Sequence, residues 1–331
     1  MKLASLKKAR DGQLIIVSCD LKKAVLATSV AKTMQEALDH WSETQPKLKK
    51  ISDQLNQGVS DIMGEKVFDF DETQCASPLP RTYHWVDGSS YLTHVELVRK
   101  ARGDTVPENF WHDPLIYQGG GDTLLGPRED IRVLDESWGI DLEAEVAVIT
   151  DDVSMGTTPE QAKKHIQLIL LVNDVTLRNL TADELKKGFG FYQSKPSSAF
   201  SPVAVTPDEL GEAWDGGKVH LPLRAFVNGK LLGQPNAGED MVFDFPRLIS
   251  HITKTRDVAA GTILGSGTIS NQDKIKTGSC CLVEVRMLET LEFGEPKTPY
   301  LSYGDTVKIE MLDKQGKSIF GSIAQTVRSA K

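Results

Sequence analysis

The chain has 331 residues, a formal net charge of −8, and 40% hydrophobic and 25% charged residues. This length predicts about two domains with a sizeable apolar core, and the negative charge argues against nucleic-acid binding because phosphate backbones are repelled. The longest aliphatic run, residues 168–172, is far shorter than a membrane span, and the charged first residues do not resemble a signal peptide. The four cysteines include no C-x-x-C pair, so we expect a cytoplasmic protein with reduced, mostly buried thiols.

Residues 1–76 are expected to form a small N-terminal domain of the α+β type. Two short apolar runs predict strands, and apolar residues at helical spacing predict two helices that Pro46 separates. The predicted elements are strands 13–18 and 24–27 and helices 33–41 and 47–55. Residues 76–80 carry two prolines among small residues and form the predicted linker to a second domain over residues 80–331.

From residue 80 onward the pattern is rich in strands, which favours a β-rich α+β fold over regular βαβ alternation. The predicted strands are 131–133, 143–149, 166–175, 219–227, 281–287 and 306–312. Asn228-Gly229 predicts a two-residue hairpin turn. Capping-box patterns and apolar spacing predict helices that begin at Thr158, begin at Thr181, and span 91–102 and 245–252.

Three acidic residues lie in or after predicted strands, where a carboxylate needs a partner. Glu143 and Glu145 are two residues apart, so a strand would place both on one face and their apolar neighbours on the other. Like charges on one face repel unless a cation lies between them or the face is solvated. Asp174 follows the most apolar run and needs either a metal or an ion pair, for which Arg178 is available. The alternatives are a solvated strand with surface acids and a turn aspartate.

Asp87 precedes the helical pattern of residues 91–102, in which His94 lies off the apolar stripe. Taken singly, Asp87 could be a helix cap and His94 a surface histidine. Together with the three acids above, Asp87 completes a set of four carboxylates without cysteine ligands, which favours Mg²⁺, Mn²⁺ or Ca²⁺ over zinc. His94 lies outside that set and could serve as a general base.

In their order along the chain, these motifs resemble those of the fumarylacetoacetate hydrolase family. The matching segments are D-x₆-H at 87–94, E-x-E at 143–145, N-D with a later arginine at 173–178, Lys195, and S-G-T-I-S at 266–270. The resemblance covers residues 80–330. It implies a catalytic domain built as a mixed β-sandwich or β-roll that forms homodimers, preceded by a smaller N-terminal domain.

The resemblance also implies a role for each matching side chain. The implied ligands of one divalent cation per subunit, Mg²⁺ or Ca²⁺ with Mn²⁺ as a further candidate, are Asp87, Glu143, Glu145 and Asp174. The implied catalytic residues are His94, its partner Glu284, Lys195 and Arg178. The implied substrate-binding residues are Tyr117, Gly267, Thr268, Ser89 and Arg102.

The implied reaction is hydrolysis of a carbon–carbon bond in a small β-diketo acid. Water attacks one carbonyl while the other fragment leaves as a carbanion, which a divalent cation, Lys195 and Arg178 would stabilise. The leading hypothesis is cleavage of fumarylacetoacetate to fumarate and acetoacetate in tyrosine breakdown. The alternative is a 2-keto acid lyase of the acylpyruvate hydrolase, oxaloacetate decarboxylase or 2-keto-4-pentenoate hydratase type, and a third hypothesis is a non-catalytic binding protein.

The sequence departs from the best-known fumarylacetoacetases at groups that recognise the substrate. Ser89 replaces a tyrosine two residues after the first metal ligand, and Thr181 replaces a glutamine three residues beyond the arginine. Glu284 matches the glutamate partner of His94 only with a slightly longer loop. The metal ligands and His94 are all present, so these departures bear on the substrate rather than on the class of reaction.

Overall fold

The computed structural model describes residues 1–101 and 108–331, which form a strand-rich mixed α/β fold. The strands are β1 Lys2–Leu6, β2 Gln13–Val17, β3 Lys23–Leu26, β4 Asp61–Ile62, β5 Glu65–Lys66, β6 Phe68–Asp69, β7 Trp85–Gly88, β8 Ile116–Gly119, β9 Ile131–Val133, β10 Ile140–Asp141, β11 Ala144–Thr150, β12 Ile166–Asn173, β13 Thr176–Leu177, β14 Ala199–Phe200, β15 Val203–Val205, β16 Leu223–Val227, β17 Lys230–Gly233, β18 Ile263–Gly265, β19 Thr306–Leu312 and β20 Ser318–Ser329. The helices are α1 Met34–Asp39, α2 Trp41–Asn56, α3 Leu92–Ala101, α4 Pro159–Ala162, α5 Arg178–Lys186, α6 Phe245–Ile252, α7 Lys274–Thr277 and α8 Leu282–Phe293.

One large sheet organises the described part of the chain. Its eleven strands run in the order β6-β3-β2-β1-β15-β12-β11-β18-β7-β8, with β14 beside β12. A second sheet has the order β17-β16-β19-β20-β9. Strand β1 joins the N-terminal strands to the rest of the large sheet, because Lys2 lies opposite Val205 of β15. Alternate residues of the buried strands pack into two apolar clusters, since Val148 of β11 belongs to one and Ile149 to the other.

Several local predictions are confirmed. Thr158 caps α4 through a complete capping box with Gln161. Asn228-Gly229 turns the hairpin between β16 and β17, where Val227 lies opposite Lys230. Strands β2, β3, β9 and β19 lie where the patterns predicted them, and so does helix α6. All four cysteines are free, and Cys19 is the exposed one.

Pro46 does not separate two helices in the N-terminal region, so that prediction is wrong. Helix α2 begins at Trp41 and continues through Pro46 to Asn56. Pro46 is exposed and forfeits one hydrogen bond of the helix, whereas the buried face with Leu48 and Ile51 packs into the core. This burial outweighs the local cost of the proline.

Three predicted elements in the second region also need correction. Residues 282–287 form the start of helix α8 instead of a strand, since Leu, Glu, Arg and Met favour a helix. The first N–H groups of this helix are capped by Asp141 of β10. Helix α5 begins at Arg178, and Thr181 lies inside it with its hydroxyl directed back to the Leu177 carbonyl. Strand β16 begins at Leu223, four residues later than predicted. Strand β20 was not predicted.

In the described ranges, no helix combines the length and the apolar character that crossing a bilayer requires.

Candidate metal centre and catalytic site

Three acidic side chains converge where neighbouring strands of the large sheet lie side by side. Asp87 lies in β7 opposite Gly265 of β18, Glu145 belongs to β11, and Asp174 follows β12. One carboxylate oxygen from each lies within 4.8 Å of the others. Gly265 leaves the room for this arrangement, because a Cβ there would collide with the Asp87 carboxylate. The exposed fractions are 6% for Asp87 and 0% for Glu145 and Asp174, so the solvated-strand alternative does not hold.

Glu145 is the least compensated member of this carboxylate cluster. Neither of its carboxylate oxygens has a hydrogen-bond partner among the residues that the structure describes. Burial, followed by repulsion from Asp87 and Asp174, raises the pKa of Glu145 well above its ordinary value. Burial and the charge of Asp174 likewise raise the pKa of Asp87 to about 8. Buried carboxylates without donors fit a hard divalent cation, which prefers oxygen ligands. The cluster therefore supports a divalent metal site.

Glu143 lies beside this cluster between two cations. Lys195 Nζ donates to Glu143 Oε2 at 2.6 Å and to Asp174 Oδ2 at 2.5 Å, while Arg178 Nη2 donates to Glu143 Oε1 at 2.6 Å. Burial opposes ionisation, yet Arg178 and Lys195 hold the pKa of Glu143 below its ordinary value. Its role as fourth metal ligand stays a prediction, since both of its oxygens accept hydrogen bonds from these cations.

Asp174 is well supplied with donors, unlike Glu145. Besides Lys195, it accepts hydrogen bonds from Tyr117 Oη at 2.5 Å and from Ser198 Oγ at 2.6 Å. The Tyr117 ring in turn packs edge-on against Phe191 at 5.4 Å between centroids. Arg178, the sequence-based candidate for pairing with Asp174, is instead bound to Asp141 and Glu143.

The predicted pair of His94 and Glu284 is present. His94 Nδ1 lies 3.0 Å from Glu284 Oε1, which also accepts a hydrogen bond from Ser270 Oγ at 2.6 Å. Lys274 Nζ donates to Glu284 Oε2 at 2.8 Å. Burial of Glu284 acts to raise the pKa of its carboxyl, but the charges and hydrogen bonds of His94 and Lys274 outweigh burial and lower this pKa to about 2. Glu284 is thus a fixed anion that orients the imidazole, and His94 lies close enough to Glu143 to help lower the pKa of that carboxyl.

The predicted substrate-binding residues lie around this site, with one exception. Gly267 N donates to Asp87 Oδ1 at 3.0 Å, and Thr268 beside it is buried. Ser89 directly follows β7, half-buried, with its backbone N–H on the Leu115 carbonyl. Arg102 lies outside the described residues.

The Gly267→Ala substitution is expected to disrupt the loop that contacts Asp87. Gly267 has φ +79°, and an added Cβ would collide with the Gly88 carbonyl oxygen. The left-handed backbone alone costs about 1–2 kcal/mol for other residues, and the collision adds to that cost. Urea denaturation should show the loss. Gly229→Ala is the matched control, because Gly229 has φ +74° and open space around its Cβ, so it should show the backbone cost alone. Equal losses in both variants would contradict this.

Four residues of the site were given no role in the sequence analysis. Ser198 and Lys274 contact site carboxylates, but no spacing in the sequence marks them, whereas Ser270, which also contacts one, ends the S-G-T-I-S segment. Asp141 had a usable signal, since it continues the alternation of Glu143 and Glu145 toward the N-terminus. Its carboxylate is fully buried and binds Arg178 Nε at 2.9 Å.

The sequence of the chain matches two protein-family models, which together span nearly all of its residues. Residues 83–328 match the fumarylacetoacetate (FAA) hydrolase C-terminal family, and residues 1–81 match the fumarylacetoacetase N-terminal domain 2 family. The chain belongs to the fumarylacetoacetate hydrolase family.

Relatives within the family carry several activities on keto acids. Oxaloacetate tautomerase YisK of Bacillus subtilis is 27% identical over 219 residues, which is 65% of this chain and 68% of that protein. The mitochondrial oxaloacetate tautomerase FAHD1 of Bos taurus is 26% identical over 218 residues, 61% of this chain and 90% of that protein. The crystal structure of maleylpyruvate hydrolase from Sphingobium sp. SYK-6 with manganese(II) and pyruvate shares the fold, with a TM-score of 0.67, 15% identity and complete coverage of both chains.

Metal affinity is expected to increase with pH. Because the pKa of Asp87 is raised to about 8 and that of Glu145 well above its ordinary value, protons compete with a cation for both groups, and the cation must displace them. The dissociation constant for Mn²⁺ should therefore fall up to about tenfold per pH unit for each displaced proton. For the same reason, the metal-free protein loses stability as the pH rises toward 8, because the buried carboxyls lose their protons. Calorimetric titration in buffers of different ionisation enthalpy counts the released protons, and a pH-independent affinity would contradict the expectation.

Proposed function

We propose that this protein is a divalent-cation-dependent enzyme of short 2-keto acids, and that it hydrolyses the carbon–carbon bond of an acylpyruvate. The observation that carries the proposal is the carboxylate cluster with the ordered His94–Glu284 pair on its border. In it, Asp87, Glu145 and Asp174 hold one cation, Mg²⁺ or Mn²⁺ with Ca²⁺ as a further candidate. When bound, such a cation polarises the keto oxygen and stabilises negative charge on the enolate.

His94 is the group that activates water in this proposal. Its Nδ1 faces Glu284, which leaves Nε2 to take a proton from water as the water oxygen attacks the acyl carbonyl. Glu284 stabilises the imidazolium that results, and Ser270 with Lys274 keeps that carboxylate in place. Hydrolysis requires a positioned base that activates the attacking water, whereas decarboxylation does not.

Lys195 and Arg178 supply the fixed positive charge of the site. As the bond between the acyl carbon and the pyruvate methylene breaks, its electron pair passes to the pyruvate fragment as an enolate. Lys195 is the nearer cation to the carboxylate cluster, so it stabilises this charge, while Arg178 holds Glu143. The proton that His94 took returns to the enolate carbon, and the products are one carboxylic acid and pyruvate.

Keto–enol tautomerisation of oxaloacetate is the second candidate function. YisK and FAHD1, both matched over more than 200 residues, are oxaloacetate tautomerases. The same base could move a proton between the methylene carbon and the enol oxygen without water. These relatives favour a 2-keto acid over fumarylacetoacetate, in line with Ser89 in place of a recognition tyrosine.

We propose a homodimer in the cytoplasm as the working form.

The substrate proposal is tested by a panel of three compounds. Acetylpyruvate, fumarylacetoacetate and enol-oxaloacetate are followed by loss of ultraviolet absorbance, with EDTA and after Mg²⁺ or Mn²⁺ is restored. Metal-dependent turnover of acetylpyruvate, with pyruvate and acetate as products, is expected to exceed that of fumarylacetoacetate. Faster loss of enol-oxaloacetate without change in its carbon skeleton would favour the tautomerase, and preference for fumarylacetoacetate would overturn the proposal.

A further inference from the structure

Asp141 is a fully buried carboxylate to which the reaction scheme above gives no role. It ends β10, two residues before Glu143, and is 0% exposed. Its Oδ1 accepts a hydrogen bond from Leu282 N at 2.7 Å. Its Oδ2 accepts from Val283 N at 3.0 Å and from Arg178 Nε at 2.9 Å. Three donors from two distant segments therefore meet on one side chain.

These donors come from the elements that hold the two sides of the site. Leu282 and Val283 begin helix α8, whose own N-cap residue Cys281 makes no side-chain capping bond. Glu284 is the next residue of that helix. On the other side, Arg178 begins helix α5 and binds Glu143 with its second nitrogen. Asp141 thus caps α8 from outside the helix and links this helix to Arg178, the side chain that binds Glu143.

We propose that Asp141 is a positioning residue, which fixes the first turn of α8 and so sets Glu284 and His94 against the carboxylate cluster. The proposal rests on the proposed function for its catalytic consequence. Asp141 contacts neither His94 nor the cluster of Asp87, Glu145 and Asp174, so its action is indirect. Hydrogen bonds to the backbone N–H groups of its first turn leave helix α8 little freedom to move. A general base that is displaced by about 1 Å can lose about 100-fold in rate.

The isosteric variant Asp141→Asn tests this directly. An amide has one acceptor oxygen, and its NH₂ group would face one of the three donors, so at least one link is lost. We expect kcat to fall about 10- to 100-fold with KM and Mn²⁺ affinity changed less than about threefold. The hydrogen-bonded His94 Nδ1 proton should give a downfield NMR line in the wild type, identified by its loss in His94→Asn. In Asp141→Asn this line should shift or broaden.

Asp244→Ala is the control for the loss of a helix cap. Asp244 caps helix α6 through Arg247 N at 2.9 Å, and alanine, unlike asparagine, removes the accepting oxygen. It should lower the melting temperature without changing kcat or the His94 line. Should Asp141→Asn not fold, Asp141→Ser leaves space for water to serve the same donors, and the same changes are expected at smaller size.

A double-mutant cycle separates positioning from general destabilisation. If Asp141 acts through Glu284, Asp141→Asn should lower kcat by less than about threefold when Glu284 is already Gln. An unchanged kcat and an unchanged His94 line in Asp141→Asn would overturn the proposal, and so would a loss that persists in full in the Glu284→Gln background. The NMR line needs no substrate. A wild type that leaves keto acids unchanged would therefore defeat the proposed function, while the line alone still decides whether Asp141 positions the pair.

Discussion

Glu145→Gln is expected to abolish binding of divalent cations and, at the same time, to raise the melting temperature of the metal-free protein. Glu145 is fully buried, and no donor among the described residues reaches its oxygens. A neutral amide of the same shape removes the repulsion from Asp87 and Asp174. The NH₂ group of the amide can donate to a neighbouring carboxylate, and because an unsatisfied buried polar group costs about 1–3 kcal/mol, relief of that order raises the melting temperature by a few degrees.

The stability gain should depend on pH in a defined direction. Because burial and the charges of Asp87 and Asp174 raise the pKa of Glu145, a falling pH protonates its carboxyl and makes it nearly equivalent to the amide, so the melting temperatures of the two proteins should converge. As the pH rises, more of the wild-type protein carries the buried charge, and the Gln variant should become the more stable. Differential scanning calorimetry in EDTA measures both.

Asp174→Asn is the matched control for Glu145→Gln. Asp174 accepts hydrogen bonds from Tyr117, Lys195 and Ser198, so the loss of its charge leaves donors without their acceptor. This variant should also lose the cation, yet melt below the wild type. Retention of metal binding by Glu145→Gln, or a lower melting temperature at high pH, would contradict the assignment.

His94→Asn is expected to separate metal binding from catalysis. His94 contacts Glu284 and lies outside the carboxylate cluster, so the affinity for Mn²⁺ should stay within about threefold of the wild type. Turnover should fall about 10²- to 10⁴-fold, the usual contribution of a positioned general base. Steady-state kinetics on the best substrate of the panel, with metal binding measured on the same samples, checks both.

A second histidine–carboxylate pair provides the control. His165 Nδ1 lies 2.6 Å from Asp151 Oδ1, and this pair lies beside β12, at the end opposite Asp174. His165→Asn should therefore leave kcat unchanged. Full activity in His94→Asn would return His94 to the surface-histidine alternative.

The fold was predictable where local sequence and tertiary structure agree. The Asn228-Gly229 turn and the Thr158 cap are decided by backbone conformations that only a few residues favour, and both were found. Residues 281–287 have apolar side chains that fit a strand or a helix. Their helix begins because Asp141, about 140 residues earlier in the chain, caps its first N–H groups. Burial likewise carries α2 through Pro46.

The candidate site was predictable to the extent that its ligands follow a short pattern. The spacing of Glu143 and Glu145 marks one face of a chain segment, and the apolar run before Asp174 marks a buried end of a strand. The choice of ion-pair partner has no such mark. Lys195, which lies beyond helix α5, binds Asp174, whereas Arg178 at the start of that helix binds Asp141. Ser198 and Lys274 reach the site only through tertiary packing.

Calorimetric titration with Mn²⁺, followed by oxalate, tests the central claim most directly. Oxalate resembles the enolate of pyruvate in charge and in its two neighbouring oxygens, and it cannot react. We predict one Mn²⁺ bound per chain in the wild type and none in Glu145→Gln, with oxalate binding only to the Mn²⁺-loaded wild type. Equal Mn²⁺ binding by both proteins, or equal oxalate binding with and without the metal, would contradict a keto-acid site built on this carboxylate cluster.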